Sequence, residues 1–289
     1  MMSYPEELLG LQNADGGWSY HRGGSWTEPT CYAVLALAAS GKGDTPQVRN
    51  GAQWLRRCQR PDGGLAPRES VVESTWLTAL SLLLPPALAA GSVDRKRAAE
   101  WVLAQSGRES GLVNRLRLWM LGVQSEVEVQ FDGWPWYPGA AAWVGPTALS
   151  ILALRKYGRQ DHGADEKGRI AEGRAYLLAR RCWDGGWNHG STKALGYDSD
   201  SYPETTGLAL LALAGGESLE ISQGIVRGEQ HLAGCRSIEA ASWLRLGLMA
   251  HGRRPVVPAV KPTHGTTMEA ALAALADAAQ QGRNLFLEP

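Results

Sequence analysis

Gln12-Asn13-Ala14-Asp15-Gly16-Gly17-Trp18 is the stretch that decides the fold, because it comes back. It returns as Gln59-Arg60-Pro61-Asp62-Gly63-Gly64-Leu65 and, with a changed start, as Cys182-Trp183-Asp184-Gly185-Gly186-Trp187. Partial copies lie from Gln105 to Leu112 and at Phe131-Asp132-Gly133-Trp134. A word that recurs every few tens of residues marks one supersecondary unit stacked on copies of itself. The Gly-Gly pair reads as the turn inside that unit, since glycine is the default residue of tight turns.

Helical segments follow the copies. They begin at Trp26-Thr27-Glu28-Pro29-Thr30, Val72-Glu73-Ser74-Thr75-Trp76, Val144-Gly145-Pro146-Thr147 and Pro203-Glu204-Thr205-Thr206, and run into Ala and Leu. Weaker versions start at Ile238-Glu239 and Thr266-Thr267-Met268-Glu269. Ala and Leu are good helix formers, while Pro and Glu suit a first turn. The bodies of Pro29 to Ser40, Ser74 to Leu84 and Thr205 to Gly216 carry no charge, so these helices belong inside. Thr45 to Gln59, Val93 to Gln105 and Asp165 to Arg181 are rich in Arg, Lys and Glu beside apolar positions, and read as amphipathic helices with a wet face. Alternation of buried and amphipathic helices predicts two concentric rings of about six helical hairpins. Strand signals are scarce: Glu126 to Gln130 alternates but is short. Pro85-Pro86 ends one inner helix, and Pro255, Pro258 and Pro262 mark a loop. The inner count is six or seven, with the ring of the helix from Thr266 to Gln281 left open.

The repeated Gln-x-x-Asp-Gly-Gly-Trp words and the Pro-Thr helices after them resemble the prenyltransferase and squalene-oxidase repeat of terpenoid cyclases. The resemblance covers nearly the whole chain. It implies an all-α fold, an α/α toroid, as one domain over residues 1–289. It also implies an isoprenoid-like apolar molecule in a central cavity, and activity as a class II, proton-initiated cyclase.

Composition fits this. The chain is 44% hydrophobic, enough for a core, and its 29 basic and 29 acidic residues give no reason to expect a nucleic-acid partner. The start Met1 to Glu7 lacks a basic, apolar leader, and Leu77 to Ala90 falls short of a membrane span. Cys31, Cys58, Cys182 and Cys235 are scattered, which reads as free thiols in a reducing, cytoplasmic compartment. Related cyclases take substrate from the bilayer, so peripheral membrane contact stays open.

A toroid brings the inner-helix starts to one end. Glu28, Glu73, Glu204 and Glu239 lie at those starts, with Glu269 slightly inside. Carboxylates crowded beside a low-dielectric cavity raise one another's pKa, as a proton-donating acid requires. Each equally serves its own helix dipole. Class II cyclases use Asp-x-Asp-Asp before an inner helix. The similar word here is Asp198-Ser199-Asp200-Ser201, without the third carboxylate, followed by Tyr202 and Glu204. Asp198, Asp200 and Glu204 are therefore the catalytic candidates. Loop Asp pairs ahead of a helix are common for capping alone. Zinc prenyltransferases would place an Asp at Pro29 beside Cys31, with His264 as a distant partner. No ligand cluster has the spacing, so no metal or cofactor is expected.

Trp76, Trp119, Trp143 and Trp243 lie in or beside inner helices, where indole faces stabilise a carbocation or simply pack. Trp136, in Trp134-Pro135-Trp136-Tyr137-Pro138, falls in the longest non-helical insert and suits a lid. With Glu28, Glu73 and Tyr202, these tryptophans are the substrate-binding candidates. Two other readings stand beside the cyclase: a non-catalytic toroid that binds an apolar ligand or a protein, and a sugar-active toroid using carboxylates and stacking aromatics.

Overall fold

The computed structural model describes residues 3–89, 92–110, 120, 130–158, 164–194, 196–256 and 265–288. Among these residues there are twelve α-helices and one two-stranded hairpin. The helices are α1 (Tyr4–Gly10), α2 (Thr27–Ala39), α3 (Pro46–Cys58), α4 (Leu77–Leu82), α5 (Pro86–Ala89), α6 (Arg95–Ala104), α7 (Val144–Gly158), α8 (Ala164–Ala179), α9 (Pro203–Ala212), α10 (Leu219–Gly234), α11 (Ile238–Met249) and α12 (Thr267–Gln280). The hairpin pairs β1 (Lys193–Ala194) with β2 (Tyr197–Asp198). Trp119, His264 and most of Glu126 to Gln130 lie outside the described residues.

The uncharged helices form a closed inner ring. α2 packs on α4, α4 on α7, α7 on α9, α9 on α11, α11 on α12, and α12 returns to α2. The last helix therefore joins the inner ring, which has six members among the described residues. It starts with a capping box between Thr266 and Glu269. The amphipathic helices lie outside: α1 on α12 and α2, α3 on α2, α6 on α4 and α7, α8 on α7, and α10 on α9 and α11. α4 is shorter than its uncharged sequence suggests. Thr75 is drawn into a bridge with Leu65, so the helix begins later, and Pro85 ends it.

The repeat word works as a clasp between layers. Asp15 accepts from the Gly17 amide and Ser25 hydroxyl with one oxygen, and from the Trp54 indole of α3 with the other. Asp62 repeats this with Gly64, Ser74 and the Trp101 indole of α6. In the third copy Arg227 of α10 stands where the tryptophan would be and pairs with Asp184 at 2.9 Å. The next amide points inward. Trp18 donates to the Thr30 hydroxyl, Leu65 to Thr78, Trp134 to Thr147 and Trp187 to Thr206. The paired glycines are needed. Gly16, Gly63 and Gly185 have φ of 94°, 96° and 95°. A Cβ on Gly17 would fall 2.5 Å from Ser25, and one on Gly64 2.4 Å from Ser74.

Two residues past the clasp, a carbonyl binds the start of the preceding inner helix. Tyr20 accepts from Thr267, Pro67 from Thr27, Trp136 from Trp76 and His189 from Val144. These bonds run around the ring and hold the inner-helix N-termini at one end. The insert at Trp136 is thus a stitch in the ring. At the opposite end, cations take the last carbonyls: Arg283 binds Ala38, Arg95 binds Leu84, and Arg155 and Arg174 bind Ala212 and Ala214. No helix of the described residues is long and apolar enough to cross a membrane.

The Thr hydroxyl satisfies a buried amide, so its removal exposes the cost of an unpaired N–H. Thr30→Val keeps the shape and should destabilise the chain by about 1–3 kcal/mol. Urea unfolding should show a lower midpoint at unchanged slope. An unchanged midpoint would contradict the clasp as a source of stability.

Candidate functional site

The clasp also sets which residues face one another at the N-terminal end of the ring, here called the mouth. Two positions before the clasp threonine stand Glu28, Trp76, Gly145 and Glu204. Glu239 and Glu269 enter from α11 and α12. The mouth therefore has an acidic arc, along α9, α11, α12 and α2, and an aromatic arc along α4 and α7.

Glu28 stands at the end of the acidic arc, beside the aromatic one. It is half-buried, and the Tyr20 hydroxyl donates to its Oε2. Tyr20 is held in turn by its carbonyl bond to Thr267 and by its ring against Trp26, 5.9 Å between centroids. The Arg68 guanidinium lies over the Trp26 ring at 5.1 Å. Burial pushes the Glu28 carboxyl up to about 7. The Tyr20 bond opposes that rise, and the nearby Glu239 carboxylate adds to it. Glu239 is also raised, first by burial and then by Glu204 and Glu269. The positive helix ends favour carboxylates here, yet desolvation wins at these two.

On the aromatic arc Trp76 meets Trp136 edge to face, 4.9 Å between centroids. Gly145 of α7 lies beside this pair, where a Cβ would be in ordinary contact with the Trp136 indole at 3.4 Å. Trp143, His189 and Tyr202 continue the row at 6.1 and 5.4 Å, all with exposed surface. Trp243 lies one turn below Glu239, buried, in a T-shaped contact with Tyr32, 5.8 Å between centroids. It is placed there by two glycines. A Cβ on Gly207 would fall 2.3 Å from the Trp243 carbonyl carbon, and one on Gly247 2.2 Å from the Gly207 oxygen.

The other sequence candidates lie apart from this group. Glu73 is exposed in the loop before α4. Asp198 is exposed on β2, and Asp200 is exposed and accepts from the Trp183 indole at 3.1 Å. The acidic neighbours of Glu239 are Glu204 and Glu269, not Asp198 or Asp200. Cys31 is fully buried in α2. The residue that sequence reading missed is Tyr20. Its signal was its place two residues after the repeat tryptophan, the same offset as Trp136 and His189.

A carboxyl raised to about 7 is still protonated in about half of the molecules at neutral pH, where an ordinary glutamate is almost wholly ionised. Such a group donates a proton from a water-poor position. Its pKa also links folding to pH. The unfolded carboxyl releases its proton near the ordinary 4.5, and the folded one near 7. Its stabilising contribution is full below the unfolded value and lost as pH rises through the folded one. Glu28→Gln removes the charge but keeps the shape. It should therefore raise the melting temperature at pH 8 and leave it near wild type at pH 4. Equal shifts at both values would contradict the raised carboxyl.

No family model matches the chain. It is 26% identical over 216 residues to a squalene–hopene cyclase of Bradyrhizobium diazoefficiens, covering 66% of this chain and 30% of the relative. It is 37% identical over 99 residues to a drimenyl diphosphate synthase of Streptantibioticus cattleyicolor, covering 31% of this chain and 18% of the relative. The matches thus span less than a third of these curated relatives. Among solved structures, the type II terpene cyclase MstE from Scytonema has a TM-score of 0.55 at 19% identity, covering 98% of this chain and 77% of that one. A variant of it has been solved with its substrate, geranylgeranyl dihydroxybenzoate. A family 8 endoglucanase from Klebsiella pneumoniae shares the fold at a TM-score of 0.59 and 14% identity, covering 96% and 98% of the two chains. The ring of hairpins makes this chain an α/α toroid, and in sequence and fold it resembles terpenoid cyclases.

Proposed function

We propose that the mouth binds an isoprenoid-like apolar molecule and cyclises it by proton donation from Glu28. The supporting observation is the half-buried Glu28 carboxyl, raised to about 7 and held by Tyr20. In this reading the proton moves from Glu28 to a terminal carbon–carbon double bond and leaves a tertiary cation. A second double bond attacks the cation and closes a ring. A proton then leaves the carbon skeleton to water, so the product is an isomer of the substrate, and Glu28 regains its proton from solvent. The faces of Trp76, Trp136 and Trp143 stabilise the cation through their quadrupoles. Burial first, and then the like charge of Glu239, favour the protonated form of Glu28.

Glu28 thus takes the role that the sequence suggested for Asp198, Asp200 and Glu204. Glu204 remains as an acid next to Glu239, and Asp198 and Asp200 stand apart as exposed carboxylates. We take residues 1–289 to act as one toroidal domain in the cytoplasm, with its four buried free thiols suited to a reducing compartment. Peripheral membrane contact would supply so apolar a substrate.

The fold match to an endoglucanase favours one other reading, a sugar-active toroid, and a single assay separates them. Wild type and the Glu28→Gln, Glu204→Gln and Asp200→Asn variants are incubated with linear prenyl diphosphates, squalene and oligosaccharides. Wild type should convert an isoprenoid to a cyclic isomer of equal mass. Glu28→Gln should lower turnover by about 10²–10⁴-fold with binding retained. Asp200→Asn should leave turnover near wild type. Turnover should fall as pH rises through about 7, where Glu28 loses its proton. Full turnover by Glu28→Gln would reject Glu28 as the acid. Isoprenoid binding without turnover would make the protein a carrier, and cleaved oligosaccharides would make it a glycosidase or lyase.

A further inference from the structure

The segment after α12 crosses the ring. In the ring order α7 stands opposite α12, with two helices between them either way round. Arg283 anchors the segment near its start by donating to the Ala38 carbonyl at the end of α2, 3.2 Å. Two residues on, the Leu285 carbonyl accepts from Lys156 Nζ of α7 at 2.7 Å. Lys156 is only 2% exposed. A buried ammonium is costly unless it is bonded, so this contact fixes where the segment lies. Just past that contact Phe286 turns into the core. It is 3% exposed, and its ring centroid lies 5.6 Å from that of Trp243. The Asn284 side chain accepts from the Phe286 amide and holds the turn.

The order along the ring axis follows from helix spacing. Tyr32 and Trp243 lie four residues, about one turn, below Glu28 and Glu239. Phe286 reaches Trp243 from the opposite end. Apolar side chains thus separate the acidic mouth from the end where the helix C-termini are capped by arginines.

We propose that residues 284–288 are a plug closing the ring from its helix C-terminal end, and that Phe286, acting through Trp243, sets how deeply an apolar ligand enters from the mouth. This rests on the reading of the mouth as the ligand's entrance. Phe286 is then a specificity-determining residue with no contact to the reacting atoms. A smaller side chain at 286 lets Trp243 relax toward the plug and lengthens the site.

The test uses the full chain as wild type, Phe286→Ala and the milder Phe286→Leu. Calorimetry measures binding of geraniol, farnesol and geranylgeraniol, and thermal unfolding is followed with and without benzene. The preference for the longer alcohols should rise by about tenfold in Phe286→Ala, with Phe286→Leu between. Benzene should raise the melting temperature of Phe286→Ala and not of wild type, because a new apolar cavity stays dry and accepts it. An unchanged length ranking in a folded variant overturns the proposal, whatever benzene does. Should none of the alcohols bind, benzene decides. Stabilisation of Phe286→Ala keeps the plug and rejects the mouth as an isoprenoid entrance, and no stabilisation overturns the plug. Phe286→Leu carries the same comparison should Phe286→Ala fail to fold.

Discussion

Four times around the ring one hydrogen bond recurs, from the backbone amide after a Gly-Gly turn to a threonine hydroxyl in an inner helix. The donors are Trp18, Leu65, Trp134 and Trp187, and the lengths stay between 2.8 and 3.0 Å. A buried amide must be paired, and the inner helix offers no free backbone acceptor at that point. The threonine therefore fixes the axial height of four of the six inner helices against their turns. The next links depend on that height. The carbonyl two residues later meets the neighbouring helix start, and the aspartate of the word catches the outer helix. Gly17 and Gly64 are glycine because a Cβ would collide with the serines that share those aspartates.

Alignment of six inner helices gives the ring an axial polarity. Positive ends gather at the mouth and negative ends at the opposite rim. The side chains match it: Glu28, Glu204, Glu239 and Glu269 stand at one end, and Arg95, Arg155, Arg174 and Arg283 at the other. A carboxylate at the mouth is thus favoured by the dipoles and disfavoured by burial and by its acidic neighbours. At Glu28 the second pair of effects prevails and leaves a carboxyl that titrates near neutrality. The chemistry proposed for the mouth grows from that competition.

Much of this was legible in the sequence. The recurring word announced the hairpins, and the absence of charge in helices such as Pro29 to Ser40 announced the inner ring. The glutamates at the helix starts were visible too. The difference between them was hidden, because burial and charge depend on what the ring brings alongside each one. Glu28 has Glu239, seven-tenths of the chain away, whereas Glu73 sits exposed in a loop. Asp198 and Asp200 looked like an acid motif, but spacing carries no information on exposure, and their hairpin leaves both in solvent. Tyr20 lies in a loop without periodicity, so only its offset from Trp18 marked it. Phe286 follows the last helix and gave no pattern at all. Its role comes from the Lys156 contact, made between residues 129 apart in the sequence.

The central claim is that one mouth carboxyl titrates near neutral pH, well above the ordinary carboxylate range. Carbon-13 labelling of glutamate side chains and NMR titration of the folded protein measure this directly, with Glu28→Gln identifying the Glu28 carboxyl signal. The account requires that signal to titrate near 7. A Glu28 midpoint at or below the ordinary 4.5 would contradict it.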